Sequence, residues 1–327
     1  MIVLGIESSC DETSVAVVKD GRKILSCVVA SSLKLHSKHG GVIPEIASRL
    51  QLESITGVFS QAIKIARIKL AQIDLVSVTN GPGLPGSLLV GVSFAKALAL
   101  SLDKPLLGIN HIHSHIYANL LCHTNIKLPC VALVVSGGHT TLFYIKDFSK
   151  IKILGQTQDD ACGEAFDKVA KLMNMGYPGG PLIEKFAKGA DKHKIKFACC
   201  GTTDEFGFSF SGIKTAVLYY LKDNKLTIKL KADLAASFQE SVIRALVKKS
   251  LPACKRYRVK NLLLGGGVIA NTALRQRFSE SAKINGIKCF FPEIKLCMDN
   301  AAMVAGLAGY LYKQGARSNL NLNLEFN

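Results

Sequence analysis

The chain is 327 residues long, enough for one large or two modest domains, and 48% of it is hydrophobic, enough to bury a substantial core. Lys and Arg number 41 against 24 Asp and Glu, and the formal net charge of +17 favours a polyanionic partner, most often nucleic acid. No apolar run approaches the roughly 20 uncharged residues of a membrane span, ten cysteines lie scattered without a C-x-x-C pair, and Met1 to Glu7 reads as a first strand rather than a signal peptide; a reducing cytoplasm is the expected location.

Ile2 to Asp20 runs as an apolar strand, a small polar turn and a second apolar strand, the pattern of a hairpin. Its turn holds three carboxylates, Glu7, Asp11 and Glu12, which suit a cation, a base or simply a solvated turn. Ile43 to about Ile68 reads as a helix with Pro44 in its first turn. Leu75 begins a strand that leads into Gly81-Pro-Gly-Leu-Pro-Gly-Ser87 and then an apolar helix to about Leu102. Next comes His111-Ile-His-Ser-His115, which packs three of the eight histidines into five positions. On a helix His111 and His115 are i and i+4 and share a face, whereas His113 lies about 200° further round. Such a pair is half of a metal site or a polar helix face, and a site would need more ligands from far along the chain.

Val131 to Asp147 repeats the plan of the first hairpin, two residues shorter at the turn. Each hairpin opens one half of the molecule, so two lobes facing each other across a cleft are expected. The second turn is Ser136-Gly-Gly-His-Thr140, whose backbone N–H groups suit a phosphate or carboxylate. Ala161 to Met175 is a helix that carries Asp167 and precedes Tyr177-Pro-Gly-Gly-Pro181; a carboxylate beside glycines suits a ribose diol. Ala187 to Gly207 is poor in pattern and reads as an insertion or flexible loop. Ser211 to Leu221 and Lys231 to about Cys254 have helical apolar spacing. Asn261 to Asn271 repeats the strand and glycine loop, ahead of a polar helix to about Asn285. Ser241 to Ser279 carries nine cations and no Asp or Glu. Asp299 stands where a helix N-cap would, before a run of small residues, and is also a hard oxygen ligand able to join the histidine pair. Asn319 to Glu325 alternates at period two, as an edge strand or a disordered tail would.

Nine ordered motifs resemble one family essentially end to end. They are Gly5-Ile-Glu-Ser-Ser-Cys-Asp-Glu-Thr13, Gly81 to Ser87, His111 with His115, Val135 to Thr140, Gly163-Glu-Ala-Phe-Asp-Lys168, Tyr177 to Pro181, Ser209-Phe-Ser-Gly-Ile-Lys214, Gly265-Gly-Gly-Val268 with Asn271, and Asp299-Asn-Ala-Ala-Met303. The chain is similar to the TsaD family, tRNA N6-adenosine threonylcarbamoyltransferases once labelled glycoproteases.

The resemblance implies an α/β fold shared with actin, sugar kinases and heat-shock chaperone ATPases (the ASKHA fold), with two ribonuclease-H-like lobes around a central cleft. Residues 1–125 plus 295–327 would form the N-terminal lobe and 126–294 the C-terminal lobe. It implies one divalent metal on His111, His115 and Asp299, usually iron, with zinc or magnesium as alternatives. Val134, Val135, Ser136, Gly137, Gly138, Asp167, Gly180 and Asn271 would hold threonylcarbamoyl-adenylate, with Asp167 on its ribose and Asp11 next to the reacting centre. Glu184 would be a substrate contact, although many members have Asp there. The implied partners are tRNA, a shorter paralogue of the same fold (TsaB) and a small ATPase (TsaE), with no membrane. Two departures stand out. The family usually shows His-x-Glu-Gly-His, where this chain has His113 and Ser114 in the middle, and Phe197-Ala-Cys-Cys200 lacks the prolines common there. A zinc metalloprotease would need H-E-x-x-H, and Ile112 follows His111 here. A kinase or ATPase of the same fold would hold magnesium on carboxylates without the imidazole pair.

Overall fold

The computed structural model describes residues 1–199 and 201–325, so Cys200 lies outside the described residues. The chain packs as two units, Met1–Asn125 with Pro292–Asn327 and Ile126–Phe291.

In the first unit, continuous apolar runs rich in β-branched residues and buried on both faces form β1 (Ile2–Glu7) and β2 (Glu12–Lys19), the expected hairpin, paired from Ile2↔Lys19 to Glu7↔Ser14. β3 (Lys23–Ser31) continues the meander, and α1 (Leu33–Ser37) follows. Helix α2 (Pro44–Ala66) opens on Pro44, where no N–H is needed, and stops at Arg67 in the left-handed region. β4 (Leu75–Gly81), α3 (Pro85–Leu102), β5 (Leu106–Asn110) and α4 (His111–Cys122) complete this stretch. Strand order is β3-β2-β1-β4-β5, with β1, β4 and β5 parallel. Among the described residues α3 is the one helix long and apolar enough to cross a membrane by length and composition, a case that a search for 20 uncharged residues passes over. It carries Lys96 and lies against β4 and α2.

The second unit contains β6 (Cys130–Val135), β7 (Thr140–Asp147), β8 (Lys150–Gln156), α5 (Cys162–Leu172), α6 (Gly179–Ala187), α7 (Ser211–Asp223), α8 (Ile228–Arg256), β9 (Asn261–Gly265), α9 (Thr272–Ile284) and β10 (Lys288–Phe290). Its order, β10-β9-β6-β7-β8, repeats the first sheet read from the other edge. In both, a three-strand antiparallel meander is extended by two parallel strands beside its first strand. The weak repeat in the sequence is therefore a repeat of topology. Gly266 sits at φ +93, and a Cβ there would lie 2.4 Å from the Val135 carbonyl oxygen, so the loop after β9 can hug β6 only as glycine.

Among the described residues of 188–199 and 201–210 there is no helix or strand, but the segment is held down. Phe197, Phe206 and Phe208 are buried, Arg244 donates to the Phe197 carbonyl at 3.0 Å, and Lys249 donates to the Glu205 carbonyl at 2.8 Å. These aromatic anchors are spaced too irregularly to give a periodic signal, which is why the segment reads as a loose loop in the sequence.

The chain returns to the first unit in α10 (Ala301–Lys313), an almost wholly buried helix that lies on β1. Gly5 makes this possible: a Cβ there would stand 2.4 Å from the Ala301 carbonyl oxygen and 2.8 Å from the Ala305 Cβ. Gly5→Ala is expected to push α10 off the sheet, cost about 1–3 kcal/mol in thermal unfolding, and lower metal content, because Asp299 directly precedes this helix. A variant that melts and loads metal like the parent would refute this account of the contact. The period-two tail forms no strand. Glu325 N donates to the Asn80 carbonyl at 2.7 Å, Asn80 Nδ2 donates to the Asn323 carbonyl at 3.2 Å, and Leu322 and Leu324 pack on the core beside β4 and β5.

Candidate functional site

β5 runs directly into α4, and Asn110 caps that helix by accepting from His113 N at 3.0 Å. This register turns His111 and His115 into the interior, with ring centroids 4.7 Å apart and planes at 79°. Asp299 reaches the same spot from 184 residues beyond His115. Its Oδ1 stands 3.7 Å from His111 Nε2 and 3.1 Å from His115 Nε2, and one ligand atom from each of the three residues falls within 4.8 Å of the others. Asp299 is not the N-cap of α10. Asn300 is, accepting from Met303 N at 3.1 Å, and this leaves the Asp299 carboxylate to the histidines. His113 is excluded from the set. Burial alone pulls its imidazole down to about 4, so it is neutral.

His115 is fully buried, yet neither ring nitrogen makes a hydrogen bond; Nε2 faces Asp299 at short range without hydrogen-bond alignment. An orphaned polar atom in the interior costs about 1–3 kcal/mol. A divalent ion shared with His111 and Asp299 would remove that cost at Nε2. Two imidazoles and a carboxylate with open positions fit such an ion.

Glu7 completes the centre from below. It is fully buried at the end of β1, and its Oε2 lies 3.0 Å from His111 Nδ1. It also accepts from Ser9 N and Thr79 Oγ1, both at 2.6 Å. Burial disfavours the Glu7 charge, but the His111 imidazole and its hydrogen bond outweigh that and hold the carboxyl below its usual range. Burial likewise works against a charged His111, but Glu7 and Asp299 lift it to about 9. Without an ion His111 therefore carries a proton that a metal must displace from Nε2. Apparent affinity for a divalent ion should rise by up to about tenfold per pH unit between pH 6 and 8, levelling off near 9. Titration of the metal-free protein at several pH values measures this, and a flat profile would exclude a protonated His111.

The turn between β1 and β2 is fixed by a residue that the sequence reading does not single out. Gln51, 1% exposed on α2, directs Nε2 to the carbonyls of Ser8, Cys10 and Glu12 at 3.4, 2.9 and 3.1 Å. Its signal was available: Ala47, Gln51, Ile55, Val58 and Ala62 form one buried stripe, and Gln51 is its polar member. Asp11 stands half-exposed in the turn, and its carbonyl accepts from Ser32 N and Oγ at 3.1 and 2.7 Å. Burial, then Asp299 and Asp11, push the neighbouring Glu12 up to about 10. A cation beside these carboxylates would offset the same repulsion.

The remaining candidates lie in the second unit. Val134 and Val135 end β6 with fully buried side chains, so only their backbone is offered to a ligand. Ser136 bonds back to His139 through N and Oγ, which shapes the turn, while Gly137 and Gly138 have open space where a side chain would be. Asp167 accepts from Gly179 N at 2.6 Å, and burial raises its carboxyl to about 6 despite that bond. Gly180 is next, in the first turn of α6, also facing open space. Asn271 caps α9 through its oxygen and donates to Gln239 Oε1 at 2.7 Å. Glu184 accepts from Thr272 N at 2.7 Å and from its hydroxyl, so one of its oxygens is engaged at the start of α9. Glu184, Gln239 and Thr272 line a cavity of about 630 Å³ within this unit.

The doubled sheet, in each unit a three-strand meander extended by two parallel strands, is the topology of the actin, sugar-kinase and heat-shock chaperone fold class. Solved structures of that class are similar to the chain. HypF of T. kodakarensis matches with a TM-score of 0.67 at 16% identity, over 96% of this chain and 48% of that one. Component A of the (R)-2-hydroxyglutaryl-CoA dehydratase of Acidaminococcus fermentans matches with a TM-score of 0.57 at 13% identity, over 97% and 100%.

Sequence narrows the class to one family. A family model described as TsaD, tRNA N6-adenosine threonylcarbamoyltransferase, matches residues 23–306. Proteins of that name from Symbiobacterium thermophilum and Thermosipho africanus are each 50% identical over 98% of this chain, covering 95% and 98% of their own lengths. The chain belongs to the TsaD family.

Proposed function

We propose that this protein transfers the threonylcarbamoyl group of threonylcarbamoyl-adenylate to N6 of the adenosine 3′ to the anticodon in ANN-decoding tRNAs. The observation that carries the reading is the meeting of His111, His115 and Asp299 in a chain half identical to curated transferases of that name. In the reaction N6 attacks the carbamoyl carbonyl carbon. A C–N bond forms, the bond to the phosphate oxygen breaks, AMP departs, and the amine proton goes to Asp11. An aromatic amine is a weak base, so holding the two reactants in register contributes more than base strength. Backbone N–H groups of Gly137 and Gly138, on the turn that Ser136 shapes, hold the phosphate, Asp167 grips the ribose diol, and Gly180 and Asn271 flank the nucleoside. The cavity beside Glu184 has the volume for a base.

His111, His115 and Asp299 would hold one divalent ion per subunit. Two imidazoles and a carboxylate with open positions suit Fe²⁺, with Zn²⁺ or Mg²⁺ as alternatives. When bound, the ion supplies Lewis-acid polarisation and a template for the acyl group. Glu7 keeps Nε2 of His111 turned to it.

A shorter paralogue and a small ATPase are proposed as partners. Leu52, Leu89 and Leu100, exposed on α2 and α3, support a protein contact on those helices. Nine free cysteines among the described residues support a reducing, cytoplasmic setting.

Depleting the protein from cells and digesting their tRNA tests the activity. N6-threonylcarbamoyladenosine should fall severalfold by mass spectrometry of the nucleosides. An unchanged level would sink the proposal.

A further inference from the structure

The cations of the Ser241–Ser279 run do not form one face. Arg244 and Lys249 hold the 188–210 segment, Arg275 donates to the Ile269 carbonyl at 2.7 Å, and Arg277 pairs with Glu240 at 3.3 Å. Lys248 lies mid-helix on α8, and the remaining four, Lys255, Arg256, Arg258 and Lys260, lie at and just beyond the end of α8 and converge on one edge of the second sheet, with lysines from other parts of the chain.

Strand register fixes that edge. Lys288↔Asn261, Val131↔Leu262, Cys130↔Ile145 and Ile145↔Ile151 put the starts of β10, β9, β6 and β8 and the end of β7 at one level. Lys288 N donates to the Lys260 carbonyl and Asn261 Nδ2 to the Lys127 carbonyl, both at 2.7 Å, so these segments touch. Tyr144 of β7 stacks on Tyr257 at 4.9 Å, which ties the end of α8 to the same edge. Lysines thus follow one another across five strands, a span of about 19 Å at roughly 4.8 Å per strand. Residues 127–129, 145–152, 255–261 and 283–288 together carry ten Lys and Arg and one carboxylate, Asp147. All ten cations are exposed, and Asp147 is engaged by Ser149 N and Oγ at 2.9 and 2.8 Å. The edge is the opposite end of β6 and β9 from the Val135–Gly138 and Gly265–Gly267 turns.

We propose that this strand edge is a phosphate-backbone docking surface for RNA, separate within its unit from the nucleotide-holding turns. A row of exposed ammonium and guanidinium groups, strung along an edge rather than gathered on one point, fits evenly spaced phosphates read for charge rather than for sequence. Applied to tRNA, the inference rests on the functional reading above. The surface binds the body of the RNA while the chemistry takes place at a single base.

The test is a triple charge reversal, Lys146→Glu with Lys150→Glu and Lys260→Glu, measured by tRNA binding across a salt series. Lys19→Glu with Lys23→Glu and Lys64→Glu gives the same change in net charge from exposed positions in the first unit. The edge variant should bind tRNA at least about tenfold more weakly, with a salt slope shallower by about 2–3 for three lost phosphate contacts. The control should stay within about twofold of the parent. A Lys→Gln triple at the edge positions should show the same direction with a smaller change, which guards against a folding defect in the Glu variant. Equal weakening in both Glu triples would mean bulk charge and overturn the proposal. So would unchanged tRNA binding in the edge variant, or loss of binding to phosphatidylserine vesicles alone. If the parent itself neither binds nor modifies tRNA, the functional reading fails instead, and binding to a generic single-stranded RNA decides the surface by the same comparison.

Discussion

His111→Ala should abolish both metal binding and threonylcarbamoyl transfer, while His113→Ala keeps both. The two residues are two positions apart, yet the helix turns only the first toward Asp299. Removing one of three protein ligands leaves an imidazole and a carboxylate that cannot hold an ion at ordinary concentrations, so activity should drop by at least about two orders of magnitude. His113 is half-buried and neutral, and lies outside the His111, His115 and Asp299 cluster. Metal content by elemental analysis and single-turnover transfer read the two effects separately. Equal losses in the two variants would refute the shared helical face.

The second large effect is expected at Glu7, which touches no substrate. Glu7→Gln keeps the size but removes the charge that holds the Nδ1 side of His111, and one of its ends then meets a donor with a donor. Metal affinity should fall about 10- to 100-fold. Glu7→Ala goes further. It leaves the Thr79 hydroxyl, the Ser9 amide and His111 without their buried acceptor, a loss of about 3–5 kcal/mol. Thermal unfolding and metal titration of both variants check this, and parental affinity in Glu7→Gln would remove Glu7 from the centre.

Much of this was legible from the amino acids alone. The hairpins at Ile2–Lys19 and Cys130–Asp147 were clear because β-branched apolar runs and small turn residues act over short range. The ligand pair was clear because i,i+4 spacing is a local property. β3, β8 and β10 are not read from the sequence: all three are edge strands, and β8 shows only a short Lys150-Ile-Lys-Ile153 alternation while β3 and β10 show little. Asp299 and Asn300 show the limit of local reading. Both can cap a helix, and only the tertiary position of the histidines determines which one does. Gln51 and Glu7 were missed in role because a buried polar group is defined by its distant partners: three carbonyls for one, an imidazole for the other.

The second unit is inserted between α4 and α10, so the chain must traverse it before the first unit can be finished. During synthesis the two imidazoles therefore emerge long before the carboxylate. At about 5–20 residues per second, the 184 residues from His115 to Asp299 take roughly 10–40 s to appear. Through that interval the nascent chain offers a bidentate imidazole clip with no third arm, open to whichever ion is most available. On the proposed reading, loading of the ion would be deferred until translation is almost complete, and metal selection would be a matter of timing as well as of affinity.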